Sequence, residues 1–300
     1  MVDPITRSLS ASHPGPVFVH SDLLGLLPQL GPDVRRVIQE LGRGDGLTRR
    51  LLERLRELIG DRELWIPAYN YDFCRTGVFR VQEDPARIGA LPEYYRKNEA
   101  EWRTDTPVFS ICGSGSKPSS YPQQVVDPFG IHSEFHQLCE LDGLILFYGV
   151  AFSPTITHYV ERVATTDGPL YRYDKLFHGE VQDSPSQSHP VTLQYHVIPR
   201  DVRIKYDMRR LQRELLETDV MRPLDPEIGN TYVVSAKGLT QAWHEKLSEN
   251  PYYLLDDESR RTAVEMVSKH GGRRLQIADF DDEDFGPIRA NQSPVRRTEE

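Results

Sequence analysis

A histidine and a glutamate in the stretch TITHYVER, residues 155–162, form the strongest candidate in this chain for acid–base chemistry. His158 and Glu161 are three residues apart, so on a helix they share one face and the carboxylate can orient the imidazole. A neutral imidazole held in this way can remove a proton from an attacking amine or water. A surface His–Glu pair has the same spacing, so the spacing alone leaves both interpretations open.

The residues before this pair predict where it lies. The run LILFYGV, 144–150, has the continuous apolarity of a strand that is covered on both faces. Ser153 can cap a helix, and Pro154 suits its first position. His158 is therefore predicted near the start of a helix beyond the carboxyl end of a central strand, where open α/β sheets bind ligands.

Three other patterns offer weaker chemistry. His132 and His136 have the i, i+4 spacing of two zinc ligands, but Ser133 stands where a metalloprotease has its glutamate, so no metal is predicted. The glycine-rich ICGSGS, 111–116, can offer backbone N–H groups to a phosphate or form a tight turn. No neighbouring feature activates a cysteine thiol, and inert reduced thiols are predicted for all three: Cys74, Cys112 and Cys139.

The order of apolar segments predicts the fold. A strand over 16–21, an amphipathic helix over 48–60 and a strand over 63–69 favour a central mixed sheet flanked by helices. Further elements are expected as helices over 88–102, 205–219 and 257–271, strands over 107–113 and 144–150, and a strand with a following turn over 232–239. The segments 169–177 and 191–199 alternate and carry aromatics, which predicts an additional antiparallel β layer in the C-terminal half.

Composition excludes some classes of partner. The chain has 36 Lys and Arg against 45 Asp and Glu, a net charge of −9, which argues against nucleic acid. No apolar run is long enough to cross a bilayer and no leader is visible, so we expect no membrane partner and a cytoplasmic location. One domain is expected over residues 1–280, with a disordered acidic and polar tail over 281–300.

Several segments, in this order, resemble the aminoglycoside 3-N-acetyltransferase family and, more closely, its relatives in bacterial cell-surface sugar pathways. They are VFVHSDL at 17–23, IPAYNYDFCRTG at 66–77, RTDTPVFSICGSG at 103–115, DPFGIHSEFHQLCELDGLILFYGV at 127–150 and TITHYVE at 155–161. The resemblance implies an α/β enzyme that transfers an acyl group, expected to be acetyl, from coenzyme A to an amine. It also implies His158 as the general base and Glu161 as the residue that orients it, while the oxyanion can be stabilised by hydroxyls such as that of Thr155.

The resemblance further implies which residues hold the coenzyme: His20, Ser21, Arg103, Ser110, and the backbone near Ile111 and Cys112. The candidate acceptor-binding residues are Tyr69, Tyr71, Phe73 and Arg75. The three aromatic rings can stack on a sugar, and the arginine can reach a phosphate. We therefore expect a small amino sugar, preferably nucleotide-linked. The resemblance allows a homodimer and leaves the oligomeric state open.

Two departures from the family bear on the acceptor. The antibiotic-modifying members have a histidine where this chain has Thr106, and they have a longer loop where it has AFSPT, 151–155. An aminoglycoside is therefore the alternative acceptor rather than the preferred one. A metal-dependent hydrolase built on His132 and His136 is a second alternative, and a binding protein without catalytic activity is a third.

Overall fold

The computed structural model describes residues 14–27, 45–165, 168–224 and 231–280. Its main feature is a seven-stranded sheet. The strands are β1 Val17–Ser21, β2 Leu64–Pro67, β4 Trp102–Arg103, β5 Ile111–Gly113, β7 Leu144–Tyr148, β10 Met221–Pro223 and β11 Tyr232–Ser235. Their order in the sheet is β10-β11-β7-β1-β2-β5-β4. The central strand β1 pairs in parallel with β2 and β7, and the outer strands are antiparallel. The predicted mixed sheet is confirmed.

A second sheet of four strands has the order β3-β8-β9-β6. Its centre is the long antiparallel pair β8 Tyr173–Ser184 and β9 Gln187–Val197, which confirms the predicted additional β layer. Two short strands from the N-terminal half, β3 Val78–Arg80 and β6 Val125–Val126, extend it in parallel.

Helices cover both faces of the main sheet. Along β1, Val17 and Val19 pack in one apolar cluster with helix α1, whereas Phe18 points to the opposite face and packs in the other. This alternation explains why the central strands are apolar throughout. The helices are α1 Asp45–Ile59, α2 Phe73–Thr76, α3 Ala90–Asn98, α4 Glu134–Glu140, α5 Ile156–Val163, α6 Met208–Glu217, α7 Ala236–Glu249 and α8 Asp257–Lys269, with a 3₁₀ turn at Ile277–Asp279.

Three local predictions were wrong. The strand expected over 107–113 is formed only by β5, because a tight turn at Val108, with φ 67°, lets the Phe109 N–H donate to the Pro107 carbonyl at 2.8 Å. The turn expected after β11 is the start of α7, where the Ser235 side chain accepts from the Gly238 N–H. His132 lies before α4, which begins at Glu134 with Ser133 as its N-cap, so His132 and His136 do not share a helix.

In the described part of the chain, no helix combines the length and apolarity that crossing a membrane requires. The predicted tail, 281–300, lies outside the described residues. The single domain over 1–280 and the cytoplasmic location stay predictions.

Candidate active site

Helix α5 carries His158 and Glu161 beyond the carboxyl end of β7. The helix begins at Ile156, with Thr155 as the N-cap, so the expected start at Ser153 and Pro154 was wrong. The Pro154 carbonyl instead accepts a hydrogen bond from the Thr157 hydroxyl at 2.6 Å, which closes the turn before the helix. The predicted position of His158, in the first turn of a helix at the edge of the sheet, is confirmed.

A tyrosine connects the two residues of the pair. The Tyr206 hydroxyl donates its one proton to Glu161 Oε2 at 2.7 Å and lies 3.1 Å from His158 Nδ1. Since that proton is used on Glu161, Nδ1–H of His158 is the donor to the Tyr206 oxygen. The lone pair of the neutral imidazole is then on Nε2. Glu161 Oε2 itself lies 3.5 Å from His158 Nδ1, so the carboxylate orients the ring mainly through Tyr206.

Glu161 is buried and nevertheless ionised. Burial alone would raise the pKa of Glu161, but Arg172, His158 and Tyr171 outweigh this and lower it. Arg172 Nε lies 3.3 Å from Glu161 Oε2, and Tyr171 donates a hydrogen bond to the other oxygen. Arg172 also donates to the Tyr206 hydroxyl at 2.7 Å, so the same cation supports both the carboxylate and the residue that bridges it to the base.

His158 is suited to accept a proton. Burial is the main cause that lowers the pKa of His158, Arg172 adds to this, and Glu161 opposes it. The imidazole is therefore neutral at neutral pH. About 25% of its side chain is exposed, whereas the Glu161 side chain is fully buried. The arrangement presents a neutral, accessible imidazole whose other face is fixed by a buried charged network, which is what a general base requires.

A row of aromatic rings connects His158 to two of the predicted acceptor residues. The Phe129 ring lies 5.2 Å from that of His158, and Phe109 lies 4.7 Å from Phe129. Tyr69 and Tyr71 both pack edge-on against Phe109, at 5.3 and 5.8 Å. Burial raises the pKa of the Tyr69 hydroxyl, and the neighbouring Thr155 hydroxyl opposes that shift. Thr155, at the N-cap of the base helix, therefore lies next to Tyr69.

The other two predicted acceptor residues do not join this row. Phe73 is buried in the core with 2% exposure. The Arg75 side chain is 70% exposed and pairs with Asp72 at 3.2 Å. Asp72 is also bound by Arg87 at 2.6 Å. Arg75 is therefore on the surface and accessible to a charged ligand.

The predicted coenzyme residues fall into two groups. At the end of β1, His20 Nε2 and Ser21 Oγ are buried without a hydrogen-bond partner in the described structure. Burial lowers the pKa of His20 to about 4, so its ring is neutral. Because unpaired buried polar atoms are costly, these two positions suit a polar ligand.

The residues of the second group bond to and pack against other residues of the protein. Arg103 is buried and donates to the carbonyls of Val81 and Ala68 at 3.0 and 2.9 Å and to the Ser110 hydroxyl at 3.0 Å. Burial lowers the pKa of Arg103 to about 10. The Ser110 hydroxyl donates to Ala68 as well. Ile111 and Cys112 are core residues of β5. A role of this group in coenzyme binding stays a prediction.

The metal site considered from the sequence does not assemble. His136 Nδ1 lies 2.9 Å from the Tyr159 hydroxyl, and His132 is exposed. In the described ranges, the only group of three potential metal ligands is His158, Glu161 and His196. A divalent cation there would compete with Arg172 for Glu161, which is electrostatically unfavourable.

Four residues of this site were missed from the sequence: Tyr171, Arg172, His196 and Tyr206. Tyr171 and Arg172 lie just before β8, His196 lies in β9, and Tyr206 follows β9, so none of them is on the helix that carries the pair. No local spacing marks them. The aromatic content of 169–177 and 191–199 was the only available signal, and it was interpreted as packing.

The family comparison decides the relationship. Residues 47–248, about two thirds of the chain, match the model of the family described as aminoglycoside 3-N-acetyltransferase. The chain belongs to this family. It is accordingly an N-acyltransferase by family, as the resemblance implied. A search of curated protein sequences found no significant match.

Solved structures share the fold. The aminoglycoside acetyltransferase AAC(3)-Xa superposes with a TM-score of 0.59 at 16% identity, covering 84% of this chain and 93% of its own. AAC-IIIb, solved as a binary complex with CoASH, gives 0.58 at 18% identity, covering 81% and 95%. The YokD protein from Bacillus subtilis gives 0.57 at 12% identity, covering 82% and 92%. These identities show a common fold and leave the acceptor to be argued from the site.

Proposed function

We propose that this enzyme transfers an acetyl group from acetyl-coenzyme A to the amino group of a nucleotide-linked amino sugar, with His158 as the general base. The observation that carries the proposal is the Nδ1–H bond from His158 to Tyr206, which leaves the lone pair on Nε2 of a side chain that is about 25% exposed. Glu161 and Arg172 hold this arrangement from the buried side.

The proposed reaction needs no covalent enzyme intermediate. Nε2 of His158 removes a proton from the amine as its nitrogen attacks the acyl carbonyl. The resulting tetrahedral oxyanion accepts hydrogen bonds from donors such as the Thr155 hydroxyl, each typically contributing ~3 kcal/mol. Collapse of the intermediate breaks the C–S bond, and the departing thiolate takes up the proton from the imidazolium.

Coenzyme A as the acyl donor is supported by the two unpaired polar atoms at the end of β1. His20 and Ser21 stand on the strand next to β7, so a ligand bound there is near the start of α5. The relative AAC-IIIb binds CoASH. We propose that His20 and Ser21 contact the coenzyme, and that Arg103 and Ser110 support the neighbouring strand.

An amino sugar acceptor is supported by Tyr71, the partly exposed end of the aromatic row, whereas Tyr69 beside it is buried. Aromatic faces commonly line sugar sites. An exposed arginine on the same segment, Arg75, can pair with the phosphate of a nucleotide carrier. The alternative acceptor is an aminoglycoside, as bound by the relative AAC(3)-IVa in its complexes with apramycin and gentamicin.

The test is turnover with acetyl-coenzyme A against a panel of dTDP- and UDP-linked amino sugars beside kanamycin-type aminoglycosides. We expect acetylation of a nucleotide-linked sugar, and a decrease in kcat of about 10²- to 10⁴-fold for His158→Ala. Acetylation of aminoglycosides alone would refute the preferred acceptor. Unchanged turnover of the His158→Ala variant would remove the proposed base.

A further inference from the structure

A second histidine lies behind the proposed base. His196, in β9, is 1% exposed, and both of its ring nitrogens are buried without a hydrogen-bond partner. Its ring packs edge-on against the rings of Phe129 and His158, with centroid distances of 5.3 and 5.8 Å. A buried imidazole with two unpaired nitrogens costs free energy of folding unless something absent from the protein itself binds to it.

The position of His196 indicates what binds. One nitrogen of His196, one nitrogen of His158 and one oxygen of Glu161 lie within 4.8 Å of one another. Two hydrogen bonds of about 2.8 Å that meet at a tetrahedral angle separate their outer atoms by about 4.6 Å. A single water molecule can therefore bridge the His196 nitrogen and the Glu161 oxygen, accepting from the His196 N–H and donating to the carboxylate. Nδ1 of His158 then stays bonded to Tyr206, and Nε2 stays free.

The charges around His196 favour a neutral ligand. Burial is the main cause that lowers the pKa of His196 far below its usual value, and Arg172, His158, Arg162 and Arg274 add to this. The ring is consequently neutral, with one N–H donor and one lone-pair acceptor to offer. The same arginines disfavour a metal cation at this point.

We propose that His196 is a positioning residue for the His158–Glu161 pair, acting through one water molecule that accepts from His196 and donates to Glu161. The water, Tyr206 and Arg172 together fix the Glu161 carboxylate, and the carboxylate orients the imidazole through Tyr206, so that Nε2 keeps its orientation toward the acceptor amine. This inference rests on the proposed function for its effect on turnover, whereas the bound water itself is independent of the reaction.

Two substitutions separate the polar role of His196 from packing. His196→Phe keeps an aromatic ring against Phe129 and His158 but removes both nitrogens. His196→Gln keeps a hydrogen-bonding group and gives up the ring. If the water acts as proposed, His196→Phe decreases kcat about tenfold with an unchanged KM for acetyl-coenzyme A, and His196→Gln stays within about threefold of the parent enzyme. The reverse order would show that the ring acts by packing alone and would overturn the proposal.

A high-resolution crystal structure of the unaltered protein tests the water directly. We expect density for one atom within about 3.2 Å of a His196 nitrogen and of at least one atom of the His158–Glu161 pair. A site with no density there, or with the anomalous signal of a metal, would overturn the inference even if the enzyme is active. Conversely, a water in place in a protein that acetylates no amine would refute the proposed function and leave the site intact.

Discussion

Replacing Tyr206 by Phe removes one oxygen from the network around His158 and keeps the ring that fills the space. The lost hydroxyl accepts from His158 Nδ1 at 3.1 Å and from Arg172 at 2.7 Å, and it donates to Glu161 at 2.7 Å. The bond to the neutral imidazole contributes ~1–1.5 kcal/mol, so its loss should decrease kcat about tenfold. Arg172 keeps its ion pair with Glu161 but loses the buried Tyr206 oxygen as an acceptor. This loss should lower the free energy of unfolding by ~1–3 kcal/mol.

The assay is the steady-state release of the coenzyme A thiol at saturating acceptor, combined with denaturant unfolding of each variant. Tyr171→Phe is the matched control, because Tyr171 also donates to Glu161 but, among the described residues, makes no hydrogen bond to His158. We expect Tyr171→Phe to lower stability by a similar amount while kcat changes less than about twofold. Equal decreases in kcat for the two variants would refute the role of Tyr206 as the bridge between carboxylate and base.

Two further predictions concern the carboxylate and the family departure. The Glu161 charge raises the pKa of His158 against the effect of burial. Glu161→Gln should therefore move the acid limb of the kcat/KM profile to lower pH and decrease its plateau roughly 10- to 100-fold. A pH–rate profile with an unmoved acid limb would contradict this. Thr106 is fully buried and its hydroxyl donates to the buried Glu134, so Thr106→Val should lower the free energy of unfolding by ~1–3 kcal/mol with kcat unchanged. A large decrease in kcat without a stability change would place Thr106 in the acceptor site instead.

The main elements were predictable because each depends on local sequence. The apolar stripe of α1 includes Leu51, Leu55 and Ile59, which are all buried against the main sheet. The continuous apolarity of 144–150 correctly predicted β7 as a covered strand. The segment 107–110 was not predictable in this way. A β-branched residue adopts a positive φ, as Val108 does, only where the surrounding structure imposes it.

The candidate site was also predictable only where it depends on local sequence. His158 and Glu161 were found because both lie on one helical turn, and a spacing of three residues is visible in any sequence. Tyr206 and His196 contact the same imidazole from positions 48 and 38 residues further along the chain, and only the tertiary packing brings them close. Their residue types carried no signal of function, because a buried tyrosine or histidine is as common in a core as in a site.

The protonation state of the base is a property of both sheets together. The main sheet supplies β7 and the helix that presents His158, and this alone would give an imidazole next to a carboxylate. Arg172, just before β8, keeps Glu161 ionised and holds the Tyr206 hydroxyl, so that the hydroxyl proton is committed to the carboxylate. Because of that commitment, His158 must donate through Nδ1 and keep its lone pair on Nε2. The local helix pair becomes a directed base only when the second layer fixes which nitrogen carries the proton.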